Sequence, residues 1–277
     1  MQNSMDILVC FKVVPDLDMM SAGDWVVTGH SQVDTGFVPT ILNPYDESAL
    51  ELGLKLKDCS NGNQVDLKLT ALTIGTNRSH KVLKNLIALK YDHGVRVDCG
   101  LDLRFNASAV AAVIHQYMKN KSNHQVLLCG SQSNEGDNGK TPLLVAERLG
   151  VPCITAVINV KLSEQQGCLD VTSTIDDWVI AQTVKPPVVL VVGNAPNTYI
   201  RVPTLKDKMN SSHKEVEVYS LKDFGMEEQA LEVANDVEII ELFQERQERS
   251  GVFIQGRTSA EKADVFYEEY LMKRVKT

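Results

Sequence analysis

The chain is short of aromatic residues, which make up 6% of its 277 positions, and short of positive charge: 28 lysines and arginines stand against 36 aspartates and glutamates, a formal net charge of −8. Nucleic-acid binding needs a basic face, so that class is excluded as the main activity. No apolar run reaches the roughly 20 residues that span a bilayer, and no direct membrane insertion is expected. The opening MQNSMDILVC lacks the charged, apolar and small-residue order of a secretory signal, so a cytoplasmic protein is expected. Six cysteines stand at 10, 59, 99, 129, 153 and 168 without a CxxC pair, and the six histidines do not cluster with them. Buried free thiols, and no metal site, are the expectation. There is no GxSxG elbow and no HExxH helix. Asp176-Asp177 reads as a turn, because neighbours on a strand face opposite ways. His80 and His93 read as surface or helix-end residues. No catalytic set emerges.

What is present is alternation. Strand-like runs at Asp6–Val14, Asp66–Ile74, Gly94–Asp98 and 124–130 are separated by helical patterns at Asp46–Lys57, His80–Leu89 and Asn106–Lys119. In the first helix, Ala49, Leu50, Leu52, Leu54 and Leu56 fall mostly on one side. This βαβα order predicts an α/β fold, a doubly wound, mostly parallel sheet with helices on both faces. Beyond Gly150 the chain is rich in β-branched residues and reads as strands joined by turns, ending in a buried run from Pro187 to Val192. Residues from Asn194 to Asp223 are polar, broken by Pro196 and Pro203, and read as loop. Glu227–Glu248 mixes acidic and isolated apolar residues. Thr258–Lys276 reads as one amphipathic helix, with Thr258 and Glu261 at capping-box spacing. No internal repeat is visible. The expected organisation is an α/β nucleotide-binding domain over residues 1–193, a recognition loop and linker over 194–225, and a C-terminal arm and helix over 226–277.

The most informative stretch is GSQSNEGDNGKTPLLVAERLG, residues 130–150. It follows the buried run HQVLLCG and leads into a segment whose Leu143, Leu144, Ala146 and Leu149 have helical spacing. Thr141 is placed as an N-cap, Pro142 as the first helical residue and Gly150 as the stop. A helix N-terminus has unpartnered N–H groups and a partial positive charge, which suits a phosphate. The loop is neither GxGxxG nor a Walker loop, since Asn134 stands where GxxxxGK(S/T) requires glycine. On pattern alone, a phosphate site and a well-capped turn both remain open. Ligands in open α/β sheets bind outside the carboxyl ends of strands, and the polar turns Lys12–Asp16, Asn43–Asp46 and Gly75–Arg78 also follow strands.

Four segments in order resemble the β subunit of an electron transfer flavoprotein. ILVCFKVVPD is similar to the family's first strand and its lysine. ILNPYDESALELGLKLKD is similar to its NP-x-D-x-x-A-L-E segment. GSQSNEGDNGKT occupies the place of its G-x-Q-x-x-D-x-D-x-x-Q-T-G loop, and YIRVPTLKDKM resembles its R-Y-x-T-L-P-x-I-M segment. The likeness covers almost the whole chain and fits a divergent bacterial branch. It implies a sheet of the adenine-nucleotide-hydrolase-like type and pairing with an α subunit that carries FAD. Electrons would pass from a dehydrogenase donor through that FAD to an acceptor. It also implies an adenine nucleotide in this chain, either structural AMP or, in bifurcating members, a second FAD that oxidises NADH.

Carried over by motif, the cofactor contacts are Cys10, the turn Asn43, Pro44, Tyr45 and Asp46, and Ile74. With them come Gly130, Ser131, Gln132, Ser133, Asn134, Glu135, Gly136, Asp137, Asn138, Gly139, Lys140 and Thr141. Leu205 matches the exposed leucine that docks partner dehydrogenases. The resemblance further implies that Val265, Phe266, Tyr270 and Leu271 are buried on the α subunit or on the body. The chain departs from the pattern at Glu135 and Gly136, where aspartates are usual, at Lys140 for glutamine and at Pro142 for glycine. An ATP-binding or ATP-hydrolysing protein and a homodimeric nucleotide sensor are the alternatives.

Overall fold

The computed structural model describes residues 3–28, 32–60, 65–121, 123–193, 195, 199–233, 239–243 and 251–275. Asn194, Pro196, Lys276 and most of the acidic stretch up to Glu248 lie outside the described residues. The chain forms two units, Met1–Ile240 and Glu241–Thr277.

In the first unit the strands are β1 (Asn3–Cys10), β2 (Val13–Pro15), β3 (Val27–Thr28), β4 (Gln32–Val33), β5 (Thr40–Leu42), β6 (Val65–Gly75), β7 (His93–Asp98) and β8 (Val126–Gly130). They continue with β9 (Cys153–Leu162), β10 (Leu169–Ile175), β11 (Trp178–Val184), β12 (Val188–Val192) and β13 (Glu217–Ser220). The helices are α1 (Pro44–Ser60), α2 (His80–Ala88), α3 (Ala107–Lys121), α4 (Thr141–Leu149), α5 (Leu205–Asn210) and α6 (Glu228–Val233). Among the described residues, nine strands make one sheet in the order β11-β10-β9-β12-β8-β1-β6-β7-β13. Its pairings are parallel from β9 through β13, and antiparallel only where β10 and β11 extend the far edge.

Local sequence explains the centre of this sheet. All five residues of β8 (VLLCG) and of β12 (VVLVV) are buried. Continuous apolar runs are what a parallel strand covered on both faces requires. One face packs on α1 and α2, through residues such as Leu50, Leu54, Leu83 and Leu86. The other packs on α3 and α4, through Val113, Ile114, Val145 and Ala146. The doubly wound, mostly parallel α/β fold expected from the element order is therefore the fold observed.

Several boundaries differ from the reading of the sequence. The first strand ends at Cys10, and the chain re-forms as the short β2, which pairs with β5. In α1 burial extends to Glu51 and Gly53, so the helix is covered well beyond one stripe. A Cβ at Gly53 would stand 3.2 Å from the Tyr91 hydroxyl and 3.3 Å from Val9, which is how closely α1 lies on the sheet. In α4 the buried residues are Pro142, Val145 and Ala146, while Leu143 is exposed. The segment read as loop up to Asp223 contains α5 and β13. β13 escapes pattern reading because it is a four-residue edge strand with alternate residues exposed. The adjacent Asp176-Asp177 pair does sit in the β10–β11 turn, with Asp176 at φ 50.

In the second unit the tail runs as α7 (Ser259–Phe266), a π-helical turn (Tyr267–Leu271) and α8 (Met272–Val275). Thr258 Oγ1 caps the Glu261 N–H at 3.2 Å. The Glu261 carboxylate accepts from Arg257 N–H rather than from Thr258, so the expected capping box is half formed. Phe266 and Leu271 are exposed, and Val265 and Tyr270 are half-buried.

Just before β8, at the N-terminal end of the strands, His124 shares Nε2 with the Thr70 hydroxyl at 2.9 Å. Burial pushes this imidazole down from 6.5 to about 4. A depressed histidine adds stability above its unfolded pKa and loses it as pH falls, because only the unfolded state takes up the proton. In urea melts the His124 contribution, read as wild type minus His124→Gln, should therefore fall between pH 6.5 and 4. A difference that stays constant over that window would assign the acid loss elsewhere.

Candidate functional site

The chain runs from β1 outward through β6 and β7, then returns to β8 on the other side of β1. This reversal is the topological switch point, where the loops beyond neighbouring strand ends diverge and leave a crevice. A cavity of about 720 Å³ opens there, beyond the C-terminal ends of β8, β1, β6 and β7. That size is within the roughly 300–1,000 Å³ of small-molecule sites.

Asp46 holds the crevice together. It lies in the first turn of α1 and is 8% exposed. Its carboxylate accepts from Lys12 N–H at 2.9 Å, from Asn43 Nδ2 at 3.0 Å and from Gly130 N–H at 3.2 Å. One side chain thus joins the ends of β1 and β8 to the turn before α1. Burial pushes its carboxyl up to about 7, against the three hydrogen bonds. Asn43, 1% exposed, works beside it. Its amide donates to the Gln132 carbonyl at 2.9 Å, and its Oδ1 accepts from Asn134 N–H at 3.1 Å. Gly130 is required where α1 presses on β8, since a Cβ would stand 2.4 Å from Asp46 Oδ1 and 2.7 Å from the Tyr45 carbonyl carbon.

The loop from Ser131 to Lys140 is compact because Gly136, Asp137 and Gly139 take φ of 84, 41 and 60. Glycine, and less readily aspartate, adopt that left-handed region. The Asn138 amide donates to the Arg104 carbonyl at 2.6 Å. Glu135 faces two cations, Lys12 at 3.5 Å and Arg104 at 3.7 Å. Arg104 is also gripped by Asp102, with Nε at 2.8 and 3.0 Å from its two oxygens. The Arg104 guanidinium holds the Asp102 carboxyl below the usual range. Lys12, Arg104, Asp102 and Glu135 together carry no net charge. Neither Lys140 nor Arg78, which also line the cavity, is ion-paired among the described residues.

Thr141 is the first residue of α4, Pro142 the second, and Lys140 occupies the cap position without a side-chain cap. The Thr141 N-cap expected from sequence is thus displaced by one residue. Thr141 has already turned helical, and proline is tolerated because the first turn has no partner for its missing N–H. The first intrahelical bond runs from Leu144 N–H to the Lys140 carbonyl, so the N–H groups of Thr141 and Leu143 precede it.

Of the sequence-predicted contacts, Cys10, Asn43, Asp46, Ile74, Gly130, Ser131, Gln132, Ser133, Glu135, Asn138, Gly139, Lys140 and Thr141 line one cavity. Pro44, Tyr45, Asn134, Gly136 and Asp137 are not on its wall. Tyr45 meets Gln132 Nε2 through its hydroxyl at 3.0 Å, and Asn134 is tied to Asn43. Leu205 is elsewhere, as the first residue of α5 and 75% exposed. Its segment is anchored by Arg201, which donates to Glu51 of α1 at 2.5–3.2 Å. A Thr204–Asp207 capping box starts α5. Sequence reasoning missed the β7–α3 connection, whose Cys99, Leu101, Asp102 and Arg104 form one wall. The signal was weak: CGLDLRFN directly follows a strand and carries Asp102 and Arg104, but Leu101, Leu103 and Phe105 give it an apolar texture.

Residues 32–224 match the electron transfer flavoprotein domain model. YgcR of Escherichia coli (strain K12) is 29% identical over 98% of this chain and 99% of its own. The acryloyl-CoA reductase electron transfer subunit gamma of Anaerotignum propionicum is 27% identical over 98% of this chain and all of its own. The electron transfer flavoprotein subunit beta of Megasphaera elsdenii is 29% identical over 76% of this chain and 77% of its own.

Proposed function

Because this chain belongs to the electron transfer flavoprotein family, we propose that it is the β-type subunit of a heterodimer, holding an adenine nucleotide at the switch-point cavity. An α-type partner carries the FAD through which electrons pass from a dehydrogenase to an acceptor. The observation that carries this reading is the uncapped N-terminus of α4 opening on the cavity beside Lys140. Free N–H groups, the Thr141 hydroxyl and a lysine form a donor set suited to a phosphate, and the cavity is roomy enough for the rest of a nucleotide. Thr141 and Leu143 N–H would bind phosphate oxygens, and Lys140 would offset their charge. Asp46 and Asn43 would keep the loop placed without touching the ligand's charge. A flavin bound in the heterodimer supplies the one- and two-electron chemistry; this chain's residues bind, orient and exclude water.

A second reading is a bifurcating subunit, with a redox-active FAD in this cavity and NADH as donor. It is favoured by the cavity's reach from Lys140 beyond β8 to Arg78 beyond β6 and Arg104 beyond β7. Three strand intervals at about 4.8 Å each give more length than a mononucleotide needs.

The test is to co-express the chain with an α-type subunit, purify the complex, denature it and identify the released nucleotides. One FAD and one AMP per heterodimer support the first reading, and two FAD the second. No nucleotide from this chain, or no complex at all, sinks both. Thr141→Ala should cut nucleotide retention about tenfold, the scale of one hydrogen bond to a charged group. Unchanged retention would remove Thr141 from the site.

Leu205 is proposed as a docking residue for the dehydrogenase. Val202 and Met209 beside it are also exposed, at 84% and 68%, on a segment that Arg201 holds in place. An apolar anchor of this kind contributes more than about 1 kcal/mol to an interface. Leu205→Ala should slow reduction by the partner dehydrogenase about tenfold while assembly is unaffected. Equal rates would dismiss the role.

A further inference from the structure

β1 and β8 run parallel with Val9 opposite Leu128, so Cys10 and Cys129 are the next pair in register. Both pack on the face of the sheet that carries α3 and α4. The neighbouring Cys10 thiol, together with burial, pushes the Cys129 thiol well up, and both cysteines contribute to the wall of the switch-point cavity. Cys10 is half-buried and Cys129 is 5% exposed; both are free thiols. Neither is needed for the phosphate set described above.

Directly opposed residues on neighbouring strands are about 4.8 Å apart. That is inside the 4.4–6.8 Å Cα range that a disulfide spans. The Cβ atoms at the same spacing stand slightly beyond the usual range, so closing a bridge draws the two strand ends together. Strained bridges of this kind have high reduction potentials and are the labile, regulatory ones.

We propose that Cys10 and Cys129 form a redox-sensitive dithiol in the cavity wall, oxidised by peroxide to an intramolecular disulfide. Cys10, the more accessible thiol, loses its proton and attacks one peroxide oxygen; the other oxygen leaves as water, and Cys10 becomes a sulfenic acid. The Cys129 sulfur then attacks the Cys10 sulfur and expels a second water. Two thiols and one hydrogen peroxide give one disulfide and two waters, the two electrons passing from sulfur to peroxide. The bridge tightens the place where Asp46 joins the β1 and β8 ends through Lys12 and Gly130. Ligands that cover the cavity wall shield Cys10. The dithiol itself does not depend on which nucleotide, if any, the cavity takes.

The full-length chain is treated with hydrogen peroxide under native conditions, quenched, alkylated in denaturant and mapped by peptide mass spectrometry. The expected result is loss of two hydrogens per chain, mapped to a Cys10–Cys129 bridge and reversed by dithiothreitol. The loss of two hydrogens should be absent from Cys10→Ser and from Cys129→Ala. In folded Cys129→Ala, Cys10 should remain a sulfenic acid that dimedone traps. Oxidation confined to the exposed Cys59, pairing of Cys129 with Cys99 or Cys153, or bridging between chains would each overturn the proposal. The wild-type map decides the question even where a variant fails to fold.

Discussion

Replacing Asp46 with alanine is expected to destabilise the chain by about 2–4 kcal/mol and to abolish the proposed nucleotide retention. The carboxylate is the shared acceptor for Lys12 N–H, Asn43 Nδ2 and Gly130 N–H. Without it, three donors at a buried junction lose their partner, and an unsatisfied buried group costs about 1–3 kcal/mol. Water entering from the cavity relieves part of that sum. Urea denaturation of the full chain measures the loss, and a change below about 1 kcal/mol would show that the junction is held by packing alone.

Asp46→Asn isolates the charge, because it keeps the shape but turns an NH₂ toward N–H donors. The pH dependence adds a second readout. Burial raises the folded-state carboxyl from 3.8 to about 7, so the folded state holds a proton that the unfolded state has already released. The contribution of Asp46 to stability is therefore greatest below about pH 4 and declines as pH rises to 7. Asp46→Asn should flatten stability over that window. The opposite sign in the difference between wild type and Asp46→Asn would mean that the three donors outweigh burial and keep the group ionised.

Gly136→Ala is the second large effect. Its φ of 84 costs a residue with a side chain about 1–2 kcal/mol. In addition, the new Cβ would stand 2.2 Å from the Arg104 carbonyl oxygen, an atom that already accepts from Asn138. The loop must lift from the β7–α3 connection, carrying Glu135 away from Arg104 and Lys12. Nucleotide retention should fall at least about tenfold, and limited proteolysis should cut the loop faster. Gly139→Ala is the internal control. Its φ of 60 carries a similar backbone cost, but the nearest atom to its Cβ is 3.6 Å away. Similar retention in the two variants would refute the close approach at Gly136.

How much of this was legible beforehand depends on whether the deciding contacts are local. β8, β12 and α3 announce themselves because burial on both sides of a parallel sheet, or on one side of a helix, writes a period into consecutive residues. The α4 N-terminus is similarly local, and only the one-residue shift of its cap escaped, since cap placement depends on backbone angles that Thr141 and Lys140 can both adopt. Three of the ordered motifs supplied twelve of the predicted contacts that the fold brings to the cavity, and the strand end at Ile74 a thirteenth.

What the linear pattern does not contain is who bonds to whom across it. Asp46 reads as one more polar residue near a turn. It becomes the fastener of two strand ends only because Lys12 and Gly130, separated from it by 34 and 84 positions, arrive at its oxygens. Arg104 is an ordinary loop arginine until β7 sits two strands from β1 and places it over Glu135. Cys10 and Cys129 are two scattered thiols until parallel register makes them opposite neighbours. The sequence by itself determined the element order, the buried runs and the start of α4 to within one residue, because those follow from short-range periodicity and backbone preference. The tertiary structure alone decided the wall of the cavity, the ionic pairing at its edge and the meeting of the thiols. Those depend on strand order and register, which are set by how whole faces pack.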